Sequence, residues 1–383
     1  SEQADDHGLK LPTMLLSTHI KGLLGGDLVA IAARPDKGKC LALGTLVRMH
    51  PEGVKKVEDV QVGDTLMGPD GLPRTVLGTT TGVDLMYEVR YPWGESYTVN
   101  SEHILSLKRS KADTKHPYGT VLNVPVHEYV KWTDSCKARY KGWKAGVEYS
   151  PKVQQMPPYL LGLWLGDGTA TKPSITTVDQ EILDAFTEEY GEYSRCWDGI
   201  TYDFYRTRML QDLRKYNLIG NKHIPEDYLL GSRQQRLELL AGIIDSDGHA
   251  GDVYEVVTKL EELGKQYVEL ARSLGFHATI KPTMKRATNS TAQASLYWRV
   301  RIGAEAFGEV PVRLERKLGN TRDRKRKGLQ FGIEVIPKGV GEYAGFGLDG
   351  DHLFLLGDFT VTHNTSLLAA ICTHLAPQIP KCF

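Results

Sequence analysis

Leu28-Val29-Ala30-Ile31-Ala32-Ala33-Arg34-Pro35-Asp36-Lys37-Gly38-Lys39-Cys40 reads as a buried strand running into a loop that stops one residue short of completion. A phosphate-cradling loop has the form G-x-x-x-x-G-K-[ST]. Its backbone N–H groups surround the phosphates, its lysine reaches the outer ones and its hydroxyl holds Mg²⁺. Here Ala33 stands at the first glycine, and Cys40 occupies the place of the hydroxyl. The missing hydroxyl lies near the other end of the sequence, where Thr365-Ser366 opens Leu367-Leu368-Ala369-Ala370-Ile371, a good helix start. Joining Lys39 to Thr365 restores strand, loop and helix. Residues 40–364 therefore read as an insert.

The rejoined loop resembles that of RecA-fold replicative helicases of the DnaB type, which also begin it with Ala-Arg-Pro. The resemblance is confined to 1–39 and 365–383 and implies a host that binds ATP and Mg²⁺ through Gly38, Lys39 and Thr365. It further implies a host that binds DNA, assembles as a ring oligomer and works in the cytoplasm of a bacterial, archaeal or phage-infected cell. No ATPase activity is expected of the flanks by themselves, because no acidic Mg²⁺-holding strand accompanies them here.

The 383 residues suffice for two or three domains, and 47 basic against 47 acidic side chains leave no net charge. With 41% apolar and 25% charged residues, wholesale disorder is excluded. No run of about 18 apolar residues marks a membrane span, so no membrane partner is expected. No secretory signal is expected at an N-terminus carrying Glu2, Asp5 and Asp6. Five scattered cysteines are too few for a disulfide scaffold or zinc cluster, and an intracellular setting follows.

The borders of the insert carry a set of groups suited to self-cleavage. Cys40 is a nucleophile placed to attack the preceding carbonyl and turn the Lys39 amide into a thioester. Asn364 has a side-chain amide able to cyclise onto its own carbonyl, His363 is placed to assist by proton transfer, and Thr365 offers an acceptor hydroxyl. Alkylation of an exposed Cys40 is expected to block splicing, because the thiolate is the reactive form. Cys40-Leu41-Ala42-Leu43-Gly44-Thr45-Leu46-Val47, Asn100-Ser101-Glu102-His103 and His352-Leu353-Phe354 through Val361-Thr362-His363-Asn364 together resemble the sequence blocks of inteins. The resemblance covers 40–364. It implies that His103 polarises and protonates the scissile amide, with Asn100 standing where the family usually has Thr. Gly345 or Phe346 occupies the place of a common Asp or Cys, so His352 becomes the substitute for downstream proton transfer. Splicing of this kind needs no cofactor. The alternating apolar residues of 41–107 and 353–361 read as a compact β body, which fits the family's horseshoe-shaped Hint fold.

A second pattern is nested within the first. Tyr159-Leu160-Leu161-Gly162-Leu163-Trp164-Leu165-Gly166-Asp167-Gly168 and Leu239-Leu240-Ala241-Gly242-Ile243-Ile244-Asp245-Ser246-Asp247-Gly248 are two versions of one helix. Gly162 with Gly166, and Gly242 with Ser246, let two helix backbones approach closely. Asp167 and Asp247 then meet at adjacent helix ends, an arrangement that calls for a hard cation such as Mg²⁺. The pair resembles the LAGLIDADG homing endonucleases over about 150–330. That resemblance implies a saddle of antiparallel strands on double-stranded DNA and an active-site lysine at Lys222 in Lys222-His223-Ile224-Pro225. For the second half, Lys281 and Lys285 are candidate lysines. Between 281 and 330 there are thirteen basic and four acidic residues, an excess suited to DNA phosphates.

The expected organisation is an N-terminal flank (1–39), a mainly β splicing domain (40–149 and 333–364), an α+β endonuclease domain (150–332) and a C-terminal flank (365–383). Two other readings stay open: an ATPase or helicase fragment with an inert insert, and a splicing-only insert whose endonuclease domain has degenerated.

Overall fold

A computed structural model of the chain describes residues 40–112, 116–285, 294–319 and 329–364. Gly38, Lys39 and Thr365 lie outside the described residues, as do Arg286, Arg322 and the basic run 324–327. The described chain divides into two compact units, 40–144 with 330–364, and 145–329. The nested unit thus starts at Ala145 and ends at Leu329, a few residues from the expected borders. Hydrogen bonds account for the shift. Val147 donates its N–H to Ser273 O at 2.9 Å, and buried Arg236 donates to Val147 O at 2.6 Å, so 145–149 are bound into the nested unit. At the other end Gln330–Phe331 pairs with Tyr140–Trp143 and belongs to the first unit.

The first unit is mainly β, as its alternating pattern predicts. One sheet runs in the order Glu334–Leu348, Leu41–Ala42, Ser96–Asn100, Pro73–Arg90 and Thr65–Met67, and Glu334–Leu348 also pairs with Pro73–Arg90. Alternate residues turn inward to a core that includes Leu41, Val76, Val89, Val99, Phe346 and Phe354. A second sheet pairs Ile104–Arg109 with Val361–His363, and Val361–His363 with Leu353–Leu355.

Register in these two sheets brings the ends of the insert together. Leu41 lies opposite Val99, so Cys40 lies level with Asn100. His363 lies opposite both Ile104 and Leu353, so Asn364 lies level with His103 and His352. Asn100 and His103 are joined by a single turn, closed by His103 N–H to Asn100 O at 3.1 Å. Residues far apart in sequence thus converge on four adjacent ones.

The second unit is α+β and is built around helices Pro158–Asp167 and Arg233–Asp247. Pro158 sits at the start of the first helix, where its missing N–H costs nothing. The second begins with a capping box in which Ser232 and Gln235 exchange hydrogen bonds. Every residue from Tyr159 to Leu165 is buried, so the first helix is apolar all round and lies in the core. Gly162 faces Gly242 across the helix pair: a Cβ on Gly162 would fall on Leu239 O and lie 2.9 Å from the Gly242 Cα. Any larger residue at either position separates the backbones. A four-stranded antiparallel sheet follows the second helix and a three-stranded one the first. Among the described residues, no helix is long and apolar enough to cross a membrane.

Candidate functional site

Cys40 is completely buried beside Met86 and Tyr343. Its backbone is gripped from both sides by Asn100. The Cys40 N–H donates to Asn100 Oδ1 at 3.0 Å, and the Asn100 N–H donates to Cys40 O at 3.2 Å. That N–H belongs to the peptide joining Lys39 to Cys40, so the Asn100 side chain holds the upstream junction amide. Burial, with the Asp84 carboxylate adding to it, pushes the Cys40 thiol up to about 12. The expectation of an exposed, alkylatable thiol is therefore corrected: Cys40 is enclosed and rests as the neutral thiol.

His103 is also completely buried, and its Nε2 lies 2.6 Å from Thr362 Oγ1. Thr362 sits two residues before Asn364, so this contact ties the turn to the downstream junction. Asn364 is buried and donates its N–H to His352 O at 3.0 Å. Its Nδ2 has no hydrogen-bond partner among the described residues, an arrangement that costs stability and leaves the amide able to turn. His352 holds a left-handed backbone at φ 61°, and its Nδ1 lies 2.6 Å from Leu348 O. A carbonyl only accepts, so Nδ1 carries a proton in this contact. The rings of His352 and His363 meet edge to face with centroids 5.6 Å apart. Cys40, Asn100, His103, His352, His363 and Asn364 all fall on this one cluster of strand ends.

The nested unit has a second cluster, at the C-terminal ends of its paired helices. Burial and the neighbouring Asp247 charge push Asp167 up to about 6. Asp247 keeps access to solvent, yet the protein massed around the helix end desolvates it and raises its pKa, against the pull of Lys222, Lys317 and Lys285. Lys222 donates to Leu165 O at 2.9 Å and Gly166 O at 3.1 Å, capping the first helix. Burial brings this ammonium down to about 8, although Asp247 and Asp167 support its charge. Lys317 does the same for the second helix, donating to Ser246 O at 3.1 Å and to Gly248 O.

Lys317 thus holds at the second helix end the place that Lys222 holds at the first, which neither Lys281 nor Lys285 does. Those two are exposed on strand Ala278–Lys285, whereas Lys317 is buried against the helix end. Different devices hold the two lysines. Asp245, 1% exposed, accepts from Arg313 N at 2.7 Å and Leu314 N at 3.3 Å, fixing the segment that carries Lys317. In the first half Leu165 occupies the equivalent position, and Gln266 instead exchanges two hydrogen bonds with the Ile224 backbone, at 2.8 and 3.1 Å.

Comparison with known proteins matches part of each unit. Residues 40–158 match the family described as Hom_end-associated Hint, and residues 223–310 match the family described as Homing endonuclease. The replicative DNA helicase DnaB of Mycobacterium intracellulare is 30% identical over 370 residues, which is 88% of this chain and 61% of that protein. The chain carries an intein with a nested homing endonuclease domain. It spans about three fifths of the length of that helicase relative. The homothallic switching endonuclease of Saccharomyces cerevisiae (strain ATCC 204508 / S288c) is 25% identical over 256 residues, 55% of this chain and 43% of that protein. A solved structure of I-DmoI in complex with DNA and Ca covers 39% of this chain and 83% of its own, at 14% identity and a TM-score of 0.26.

The basic stretch of the intein is less free than its sequence suggests. Arg301 pairs with Glu255 at 2.9 Å, Arg313 with Glu238 at 3.3 Å, and Arg316 with Asp179. Lys281 and Lys285 carry no ion pair among the described residues. Among those residues no group of three or more His, Cys, Asp or Glu that could hold a metal ion assembles, and Asp167 and Asp247 are two carboxylates close enough for one charge to act on the other. Such a pair fits Mg²⁺, which takes one or two protein carboxylates and fills its shell from phosphate and water.

Proposed function

We propose that the chain excises residues 40–364 and joins Lys39 to Thr365. The observation that carries this reading is the convergence of Cys40 and Asn364 on the single turn Asn100–His103. Cys40 Sγ attacks the Lys39 carbonyl, the C–N bond breaks and the thiol proton ends on the freed Cys40 amine, which His103 assists. Thr365 Oγ then attacks the thioester and Cys40 regains its proton, giving a branched ester. Asn364 Nδ2 attacks its own carbonyl, releasing the Thr365 amine and leaving a cyclic imide; His363 and His352 Nε2 handle the protons. An O-to-N shift completes the peptide. No water and no cofactor enter the balance.

A thiol resting near 12 suits this task. A neutral, enclosed nucleophile survives until the scissile amide is held and polarised. The test is fresh expression followed by mass mapping of branched and ligated species. Asn364→Ala accumulates the branched ester, and Thr365→Ala prevents branching. Ligation by Thr365→Ala equal to that of the parent would remove Thr365 as acceptor.

The nested unit is read as a DNA endonuclease acting on double-stranded DNA through 150–332, with Asp167 and Asp247 holding Mg²⁺. When bound, the ion would supply charge stabilisation for phosphodiester hydrolysis. Lys222 and Lys317 would place two cations beside the cleaved phosphate. After ligation, Gly38, Lys39 and Thr365 would complete the ATP and Mg²⁺ site of a DNA-binding, ring-forming helicase in the cytoplasm.

A further inference from the structure

We propose that Asp84 is a positioning residue for the upstream junction, acting by fixing which way the Asn100 amide points; the inference rests on the splicing reading above. Asp84 lies on strand Pro73–Arg90, opposite Gly341. Its Oδ2 accepts from Asn100 Nδ2 at 3.2 Å and Ser101 Oγ at 3.4 Å, while its Oδ1 accepts from Leu85 N at 2.8 Å. The other end of the Asn100 amide, Oδ1, accepts the Cys40 N–H at 3.0 Å.

The two ends of that amide differ only in hydrogen bonding, so its orientation is set by its partners. A flipped Asn100 would point two donors at each other across the Cys40 amide and two acceptors at each other across the carboxylate. Asp84 thus locks the orientation in which Oδ1 faces the junction nitrogen. It also acts through the bond: a carboxylate accepting from Nδ2 draws density toward Oδ1 and strengthens the bond to Cys40 N–H. That bond gains most when the nitrogen takes a proton and leaves. The role is confined to the upstream step, because the downstream junction is built on His103, His352 and Thr362 instead.

The carboxylate also has an opposing effect, since its charge disfavours the Cys40 thiolate. Two substitutions separate the effects. Asp84→Asn can keep an acceptor for Asn100 Nδ2, at the loss of the bond from Leu85 N–H, and removes the charge. Asp84→Ala removes both. In an Asn364→Ala background, thioester is read as dithiothreitol-induced cleavage at Cys40. In a Cys40→Ala background, Asn364 cyclisation is read as downstream cleavage. We expect Asp84→Ala to slow upstream cleavage at least about tenfold, Asp84→Asn to stay within about threefold of the parent, and downstream cleavage to be unchanged by either.

Upstream cleavage by Asp84→Ala equal to that of Asn364→Ala alone would overturn the proposal, as would equal losses at both junctions, which would make Asp84 a residue of the fold only. Upstream cleavage that speeds up in both variants would assign Asp84 to the thiol charge instead of the amide. Absence of any thiol-induced cleavage in Asn364→Ala itself would instead overturn the splicing reading on which the proposal depends.

Discussion

The two units bury ionisable groups to opposite ends. In the splicing unit burial holds Cys40 neutral, with its thiol near 12, and the uncharged Asn364 amide is buried as well. Nothing there needs a counter-charge, and every group the proposed reaction uses is covalently part of the chain. In the nested unit desolvation at the helix ends raises two carboxylates, Asp167 to about 6, while two lysines are turned onto helix-end carbonyls. On the proposed reading that cluster is completed by a cation and a DNA phosphate. The contrast separates a self-sufficient centre from one completed by its substrate, and each prediction below tries to break it.

The largest effect belongs to Cys40. Cys40→Ala abolishes ligated product altogether, while Asn364 still cleaves downstream; ligation surviving in that variant would place the nucleophile elsewhere. Next come the carboxylates. Asp167→Asn or Asp247→Asn lowers Mg²⁺-dependent cleavage of intein-less helicase-gene DNA by at least about a hundredfold, with splicing unchanged. If the acids are only helix ends, both variants cut at the parent rate.

The lysines come third. Lys222→Met and Lys317→Met each slow DNA cleavage by about ten- to a hundredfold, whereas Lys285→Met stays within about threefold. A larger loss at Lys285 than at Lys317 would reverse the assignment of the second-half lysine. The smallest effect is on stability. A carboxyl whose folded pKa is raised favours folding below its unfolded value, and that contribution is lost as pH climbs through the folded one. For Asp167 the window runs from 3.8 to about 6. In a splicing-blocked chain free of divalent cations, Asp167→Asn therefore stabilises the nested unit by roughly 1–2 kcal/mol at pH 7.5, after screening, and hardly at all at pH 4. Denaturant titration at the two pH values measures this; destabilisation at pH 7.5 would contradict the assigned desolvation.

Much of the site is legible in the sequence because its chemistry is tied to position. Cys40 and Asn364 must stand at the borders of the insert, and an interrupted phosphate loop marks those borders. The helix pair is legible for a related reason, since only Gly162 and Gly242 allow backbones so close. Lys317 is harder to see. It lacks the Ile-Pro that follows Lys222 and is hidden within a run of cations, and only its bonds to Ser246 and Gly248 distinguish it. Asp245 and Leu165 look like a substitution at an idle position until the Arg313 and Leu314 amides appear beside Asp245. Asp84 offers no signal at all, because its link to Asn100 depends on strand pairing. The domain borders were displaced for the same reason: Val147 is fixed by Ser273 and Arg236, partners remote in sequence.

The central claim is that the turn Asn100–His103 serves two junctions at once, and a time course of the freshly made chain tests it most directly. Denaturing electrophoresis with mass spectrometry should reveal an excised product spanning 40–364 together with a ligated peptide in which Lys39 is bonded to Thr365. His103→Ala should retard thioester formation upstream while cleavage after Asn364 persists more slowly, because His103 contacts Thr362 on the downstream strand. A full-length chain that stays intact throughout, or a His103→Ala chain that splices at the parent rate, would contradict the account.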